Sequence, residues 1–237
     1  MNMVVDGHTG VEHSLPVPNV YDDVKQLWSQ TDVGYTPTLV VAYGGLDGDH
    51  YFTATTDVWK HPILSRYVPR PLLEARTVRR ETAPDEDWNV VSVARAANEL
   101  QQAGVRVNIG AHGMREGLAA HWEMWMMVKG GMTPHQALRA ATLNPARYLG
   151  LDGDIGSLEP GKLADLVVID GDPLQDIRVS DRVTHVVLNG RLYDTATMNE
   201  LGATPRPRKP FFFERAASGY VPLATGTEAS ARGGCEH

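Results

Sequence analysis

Apolar positions along the chain follow two periods, and the elements they predict alternate. From Glu86 to Ala103 the spacing is helical, with Val90, Val93, Ala94, Ala97 and Leu100 on one stripe and Gly104 as the stop. Val20, Val24, Leu27 and Trp28 form a second stripe, predicting a helix over about Val20–Gln30 capped by Asn19. A tryptophan-rich helix is expected at Gly117–Lys129, its apolar side chains reading as core. Another is expected behind Thr133-Pro134-His135-Gln136, a capping box with proline at the first helical position. A short helix follows Asn144-Pro145, and Met1–Val5 reads as the end of an apolar helix stopped at Asp6-Gly7. Between these lie runs suited to pleated structure: His8–His13, Tyr35–Tyr43 and Val105–Gly110. Strand, loop and helix in alternation is the grammar of a parallel α/β sheet or barrel.

The grammar changes at Ile155. Ile155–Leu158, Leu163–Asp170 and Val183–Asp194 read as strands, the last folded at the hairpin signal Asn189-Gly190. The organisation expected is an α/β part over 1–150, a small β unit over 151–197 and an irregular tail over 198–237. In that tail Phe211-Phe212-Phe213 is able to dock. Residues 44–84 form a long mixed connection, which in a compact domain is a lid, a binding loop or a set of short helices.

Composition narrows the partners. With 237 residues the chain is long enough for one large domain or two small ones. A net charge of −7 without a basic run argues against nucleic acid or an anionic membrane surface as partner. Cys235 is the single cysteine, so no intrachain disulfide forms. No apolar run approaches the roughly 20 residues of a membrane span, and Met1–Val5 is too short for a signal peptide. The chain reads as soluble, with its compartment unassigned.

Two of the nine histidines stand where chemistry collects. His13 and His112 each end a predicted strand, and in a parallel barrel the strand ends carry catalytic and metal-binding groups. Imidazole is a common zinc ligand, and the plain alternative is a bond from each ring to a loop carbonyl. A zinc centre takes at least three protein ligands, and local spacing supplies no third. His8 falls on the other side of its strand. His121, beside Trp122 and Trp125, reads as packed and hydrogen-bonded. Asp47-Gly48-Asp49-His50 reads as a solvated turn, since the later ligands of a calcium loop are missing. Cys235-Glu236-His237 is too isolated to assign. Gly-x-Ser-x-Gly and a phosphate-cradling glycine loop are both absent.

A resemblance is carried by Gly130-Gly131-Met132-Thr133-Pro134-His135-Gln136-Ala137-Leu138, then Ala141-Thr142-Leu143-Asn144-Pro145-Ala146 and Leu149-Gly150-Leu151. It continues through Ile155-Gly156-Ser157-Leu158-Glu159-Pro160-Gly161-Lys162-Leu163-Ala164-Asp165-Leu166-Val167-Val168, Asp172-Pro173-Leu174 and the Val187-Leu188-Asn189-Gly190 hairpin. Together these resemble the amidohydrolase superfamily over about residues 130–193. Upstream, Val11-Glu12-His13 is similar to the end of barrel strand six in the imidazolonepropionase- and prolidase-like branch. Thr36-Pro37-Thr38-Leu39 resembles strand seven, and Asn108-Ile109-Gly110-Ala111-His112 strand eight. The Gly110-Ala111-His112-Gly113 to His121-Trp122-Glu123 pattern resembles in particular amidohydrolase domains fused behind TolB-type propellers.

The resemblance implies the C-terminal portion of a TIM-type (β/α) barrel, strands six to eight, with part of a small β-sandwich and a C-terminal tail. It implies hydrolysis of a C–N bond in a small amide, cyclic amide or dipeptide with a divalent metal, zinc first and manganese or iron as alternatives. His13 matches the strand-six metal ligand. His112 stands where the family normally has an aspartate base, and would bind metal or take the proton itself. The family's His-x-His of strand one, Lys or Glu of strand four and His of strand five have no counterpart ahead of His13. The implied partners are therefore the missing N-terminal part of the barrel and a β-propeller in the parent protein. The rival expectation is an inactive fragment or interaction module without a metal site of its own, its open strand edges inviting pairing.

Overall fold

The computed structural model describes residues 1–211 and 214 apart from 16, 75–79, 114 and 116. The chain opens with α1 (Asn2–Val5), β1 (Gly10–Glu12), α2 (Asp22–Ser29) and β2 (Gly34–Thr36). β1 and β2 run parallel, Gly10 opposite Gly34 and Glu12 opposite Thr36. A third segment joins them through a parallel bridge between Tyr35 and Val107. There the Tyr35 N–H donates to the Arg106 carbonyl (2.9 Å) and the Asn108 N–H to the Tyr35 carbonyl (2.8 Å). The strand expected over Val105–Gly110 is thus shortened to one bridge, because the Ile109 N–H turns away to the Ala140 carbonyl at 3.0 Å.

The strand expected over Tyr35–Tyr43 is also shorter, ending at Thr36. Thr38 takes a left-handed conformation (φ +51°), and Leu39–Val41 form a 3-10 turn. Leu39 and Val40 are buried as expected, but their N–H groups face a side chain instead of a neighbouring strand. α2 starts at Asp22, later than the cap expected at Asn19, and its Trp28 is buried while Leu27 stays exposed.

Short helices fill the long connection: α3 (Gly48–Thr55), α4 (Leu64–Tyr67) and α5 (Arg70–Glu74). Asp47 is the side-chain cap of α3, its Oδ1 accepting the His50 N–H at 2.9 Å, and does not form the solvated turn expected from sequence. α6 (Asn89–Gln102) buries the whole expected stripe: Val90, Val93, Ala94, Ala97 and Leu100 are all fully inaccessible. α7 (Leu118–Lys129), α8 (Pro134–Ala141) and α9 (Leu143–Tyr148) follow, and the Thr133–Gln136 capping box opens α8 with both reciprocal bonds made. α7 is apolar on most of its circumference and packs against α6 and α8 on separate sides, as such a helix must. At its end Gly130 permits close approach, since a Cβ there would stand 2.5 Å from the Ala94 carbonyl.

The β unit holds β3 (Leu166–Ile169), β4 (Val183–Leu188) and β5 (Arg191–Asp194) in one antiparallel sheet. Asn189 (φ +49°) and Gly190 (φ +77°) make the hairpin turn the sequence predicts. Ile155–Leu158 is not a strand. It turns at Gly156 (φ +91°), where a Cβ would stand 2.5 Å from Ala146 Cβ. Beyond β5 the chain comes back: Glu200 bridges to Tyr193 and Arg206, and Arg191 forks onto its carboxylate at 2.8 and 2.5 Å. Phe211 packs edge-on to Tyr67 with ring centroids 6.0 Å apart, whereas Phe212, Phe213 and 235–237 lie outside the described residues. Among the described residues no helix is long and apolar enough to cross a membrane.

Candidate active site

His13 follows the last residue of β1, and His112 lies beyond the Val107 bridge, with β2 between the two segments. Both are left-handed, at φ +70° and +51°. The turns bring their imidazoles edge to face, centroids 5.3 Å apart with planes at 62°. Both residues are exposed. Left-handed non-glycine backbone is uncommon and gathers at functional sites. Here the exits of all three parallel segments carry it, through His13, Thr38 and His112.

Hydrogen bonds tie these exits together. The buried Ser14 hydroxyl donates to the Pro37 carbonyl at 2.5 Å, linking the residue after His13 to the turn after β2. On the other side stands Glu123 of α7, 0% exposed. Its Oε1 accepts the Leu39 N–H at 2.7 Å and its Oε2 the Val40 N–H at 3.0 Å, and the Gly110 amide is turned toward the same carboxyl. Burial pushes this carboxyl up to about 8 against the pull of those three amides. No motif marks Glu123 for a role, although one carboxylate inside an apolar helix is a visible anomaly.

A second polar group lies on the sheet near the strand starts. Tyr148 of α9 lays its ring over Gly10 and Gly34, where any Cβ would collide with it, and donates to Glu12 Oε1 at 2.6 Å. Burial and the Glu12 carboxylate push the Tyr148 phenol up to about 12. Asn108 is 2% exposed, and both its amide atoms lack a partner among the described residues. His121, as the sequence predicts, is packed and bonded, with Nδ1 3.1 Å from Ser180 Oγ.

Two imidazoles suit a divalent metal by donor chemistry but fall short in number. Among the described residues no group of three or more His, Cys, Asp or Glu converges on one point. These residues alone do not make a metal centre, and no reaction step is derived through one.

This arrangement of parallel exits, capped helices and a following antiparallel unit meets its counterpart in known proteins. The chain belongs to the amidohydrolase family, whose model matches residues 6–193. A dihydroorotase of Pelotomaculum thermopropionicum is 32% identical over 150 residues, 60% of this chain and 35% of the relative. An ochratoxinase of Aspergillus niger is 34% identical over 96 residues, 39% of this chain and 20% of the relative. Among solved structures, a Xaa-Pro dipeptidase with bound methionine superposes with a TM-score of 0.56 at 22% identity, covering 81% of this chain and 41% of the other. The A. niger ochratoxinase structure gives 0.52 at 25% identity, covering 81% of this chain and 38% of the other. The chain thus spans about a third of the dihydroorotase's length and about two fifths of the dipeptidase's.

Proposed function

We propose that this chain belongs to a hydrolase of amide-type C–N bonds in a small substrate, with His13 and His112 on its reaction face. The carrying observation is the imidazole pair, 5.3 Å apart, at the exits of parallel segments flanking β2. β1, β2 and the segment at Val107 are read as consecutive staves of a (β/α) barrel, whose strand ends are where such folds do chemistry. Relatives named dihydroorotase, methylthioadenosine/S-adenosylhomocysteine deaminase and Xaa-Pro dipeptidase support hydrolysis at carbon–nitrogen bonds.

In this reading His13 donates an imidazole to a divalent metal, zinc first and manganese or iron as alternatives. His112 is a second donor or the group that takes a proton from the attacking water. The other ligands come from the part of the relatives' length that this chain does not span. The boundaries 1–150 for the barrel part and 151–197 for the sandwich part belong to the same proposal. A preceding β-propeller is supported by the Gly110–Glu123 pattern.

The test is Zn2+ binding by equilibrium dialysis, with dipeptide and cyclic-amide hydrolysis assayed alongside. Even outer contacts of metal ligands are worth about 10–100-fold in affinity. H13N should therefore weaken Zn2+ binding by about tenfold or more; H112N should do the same if His112 is a donor, and should abolish hydrolysis with binding kept if it takes the proton. If the wild-type chain holds no metal above trace and hydrolyses neither substrate, independent catalysis by this chain is excluded.

A further inference from the structure

A carboxylate in an apolar interior is costly unless its oxygens are satisfied. Glu123 meets that condition through backbone, accepting from the Leu39 and Val40 N–H groups, with the Gly110 amide also turned toward it. These backbone groups belong to two different loops. Leu39 and Val40 directly follow left-handed Thr38, and Gly110 stands two residues before left-handed His112. Those loops touch: a Cβ on Gly110 would meet Thr38 Oγ1 at 2.5 Å and Thr36 Cγ2 at 2.7 Å. On the far side, Ser14 next to His13 bonds the Pro37 carbonyl next to Thr38. One connected path therefore runs from His13 through the β2 exit and the Glu123 carboxylate to His112.

From this path we infer that Glu123 is a positioning residue, which fixes the loop of His112 against the β2 exit and so holds its ring opposite His13. A neutral donor could not replace it, because every group facing it is an N–H. A carboxyl group with two oxygens facing N–H donors can serve two loops at once, where a carboxamide offers one acceptor and turns its own N–H2 toward a donor. The functional meaning rests on the histidine pair being the reaction face, but the geometry is testable without metal.

The experiment uses the metal-free 237-residue chain with labelled histidines, the two rings assigned through H13N and H112N. In wild type a nuclear Overhauser cross-peak between the His13 and His112 rings is expected. E123Q should keep its helical circular dichroism and lose that cross-peak. M126A removes a buried side chain one turn along the same helix and leaves the Glu123 carboxyl in place; it should lower the Tm and keep the cross-peak. Survival of the cross-peak in E123Q, or equal loss in M126A, overturns the inference. Should E123Q not fold, E123D keeps the carboxyl group and withdraws its oxygens by one methylene. It should at least halve the cross-peak, and an undiminished one overturns the inference. Zn2+ added to the same samples separates the two ideas. A wild-type cross-peak with no Zn2+-dependent shift of either ring sinks the metal reading and leaves the role of Glu123 standing. Absence of the wild-type cross-peak sinks the positioning role.

Discussion

His61 accepts the Leu64 N–H at Nδ1 (3.2 Å), which leaves its proton on Nε2, 3.8 Å from Asp181 Oδ2. Burial holds His61 below the ordinary imidazole range, with Asp181 opposing. His121 is lowered likewise by burial, with Asp181 opposing and His61 adding to the shift. A depressed folded pKa means stability that is present above the unfolded value of 6.5 and is lost as pH falls through the folded value. Glu123 runs the other way. Raised from 4.5 to about 8, it contributes fully below 4.5 and loses that contribution as pH rises through 8. The histidine share must therefore be read as a difference between proteins. We expect the Tm of wild type minus that of H121Q to shrink as pH drops from about 7 to about 5, and a pH-independent difference would refute this. At this scale the sequence revealed His121 as a packed side chain, because its tryptophan neighbours said so. It did not reveal Glu123, whose donors at Leu39 and Val40 lie 84 and 83 residues away. No local spacing encodes such a bond.

At the scale of elements, helices were more legible than strands. The α6 stripe and the Thr133–Gln136 box are local signals, and both appear where the periodicity puts them. The box is also where stability can be tested cleanly. Thr133 Oγ1 accepts the Gln136 N–H at 3.2 Å, and Gln136 Oε1 accepts the Thr133 N–H at 2.8 Å. T133A removes the first bond and should cost about 1 kcal/mol, read from the urea midpoint at unchanged m-value. A loss below the error of that midpoint would show that Pro134 alone sets the start of α8. Strands misled because β propensity depends on a partner. Leu39-Val40-Val41 has the right side chains, but the Glu123 carboxylate takes the first two N–H groups and bends the run into a 3-10 turn. Ile155–Leu158 fails for a different reason: left-handed Gly156 packs against Ala146 and leaves no extended edge to pair.

Across the whole molecule, the β unit meets the helices along one seam. The Trp125 indole N–H donates to Ser180 Oγ at 3.0 Å, and His121 Nδ1 stands 3.1 Å from the same oxygen, which is 0% exposed. Tyr67 and Arg66 both donate to the Ala196 carbonyl, at 2.5 and 2.7 Å. Beside them a cavity of about 520 Å³ runs between Leu118 and His121 on one side and Val183, Val186 and Tyr193 on the other. The motif run over 130–193 made the presence of this β unit legible. The seam was not, since Ser180 joins residues 55 and 59 positions away. S180A would leave the half-buried Trp125 N–H without its protein acceptor, a loss of about 1 kcal/mol. Its location makes a sharper test than its size. Four of the five tryptophans precede the seam residue Trp125, so the fluorescence is weighted toward the helical part. Hydrogen exchange of the β4–β5 amides reports the β unit. With the seam in place the two probes should lose structure at one urea concentration. In S180A the β4–β5 amides should exchange first, while the fluorescence midpoint moves less. If both midpoints fall together by the same amount, Ser180 supports the common core and the seam does not divide the molecule.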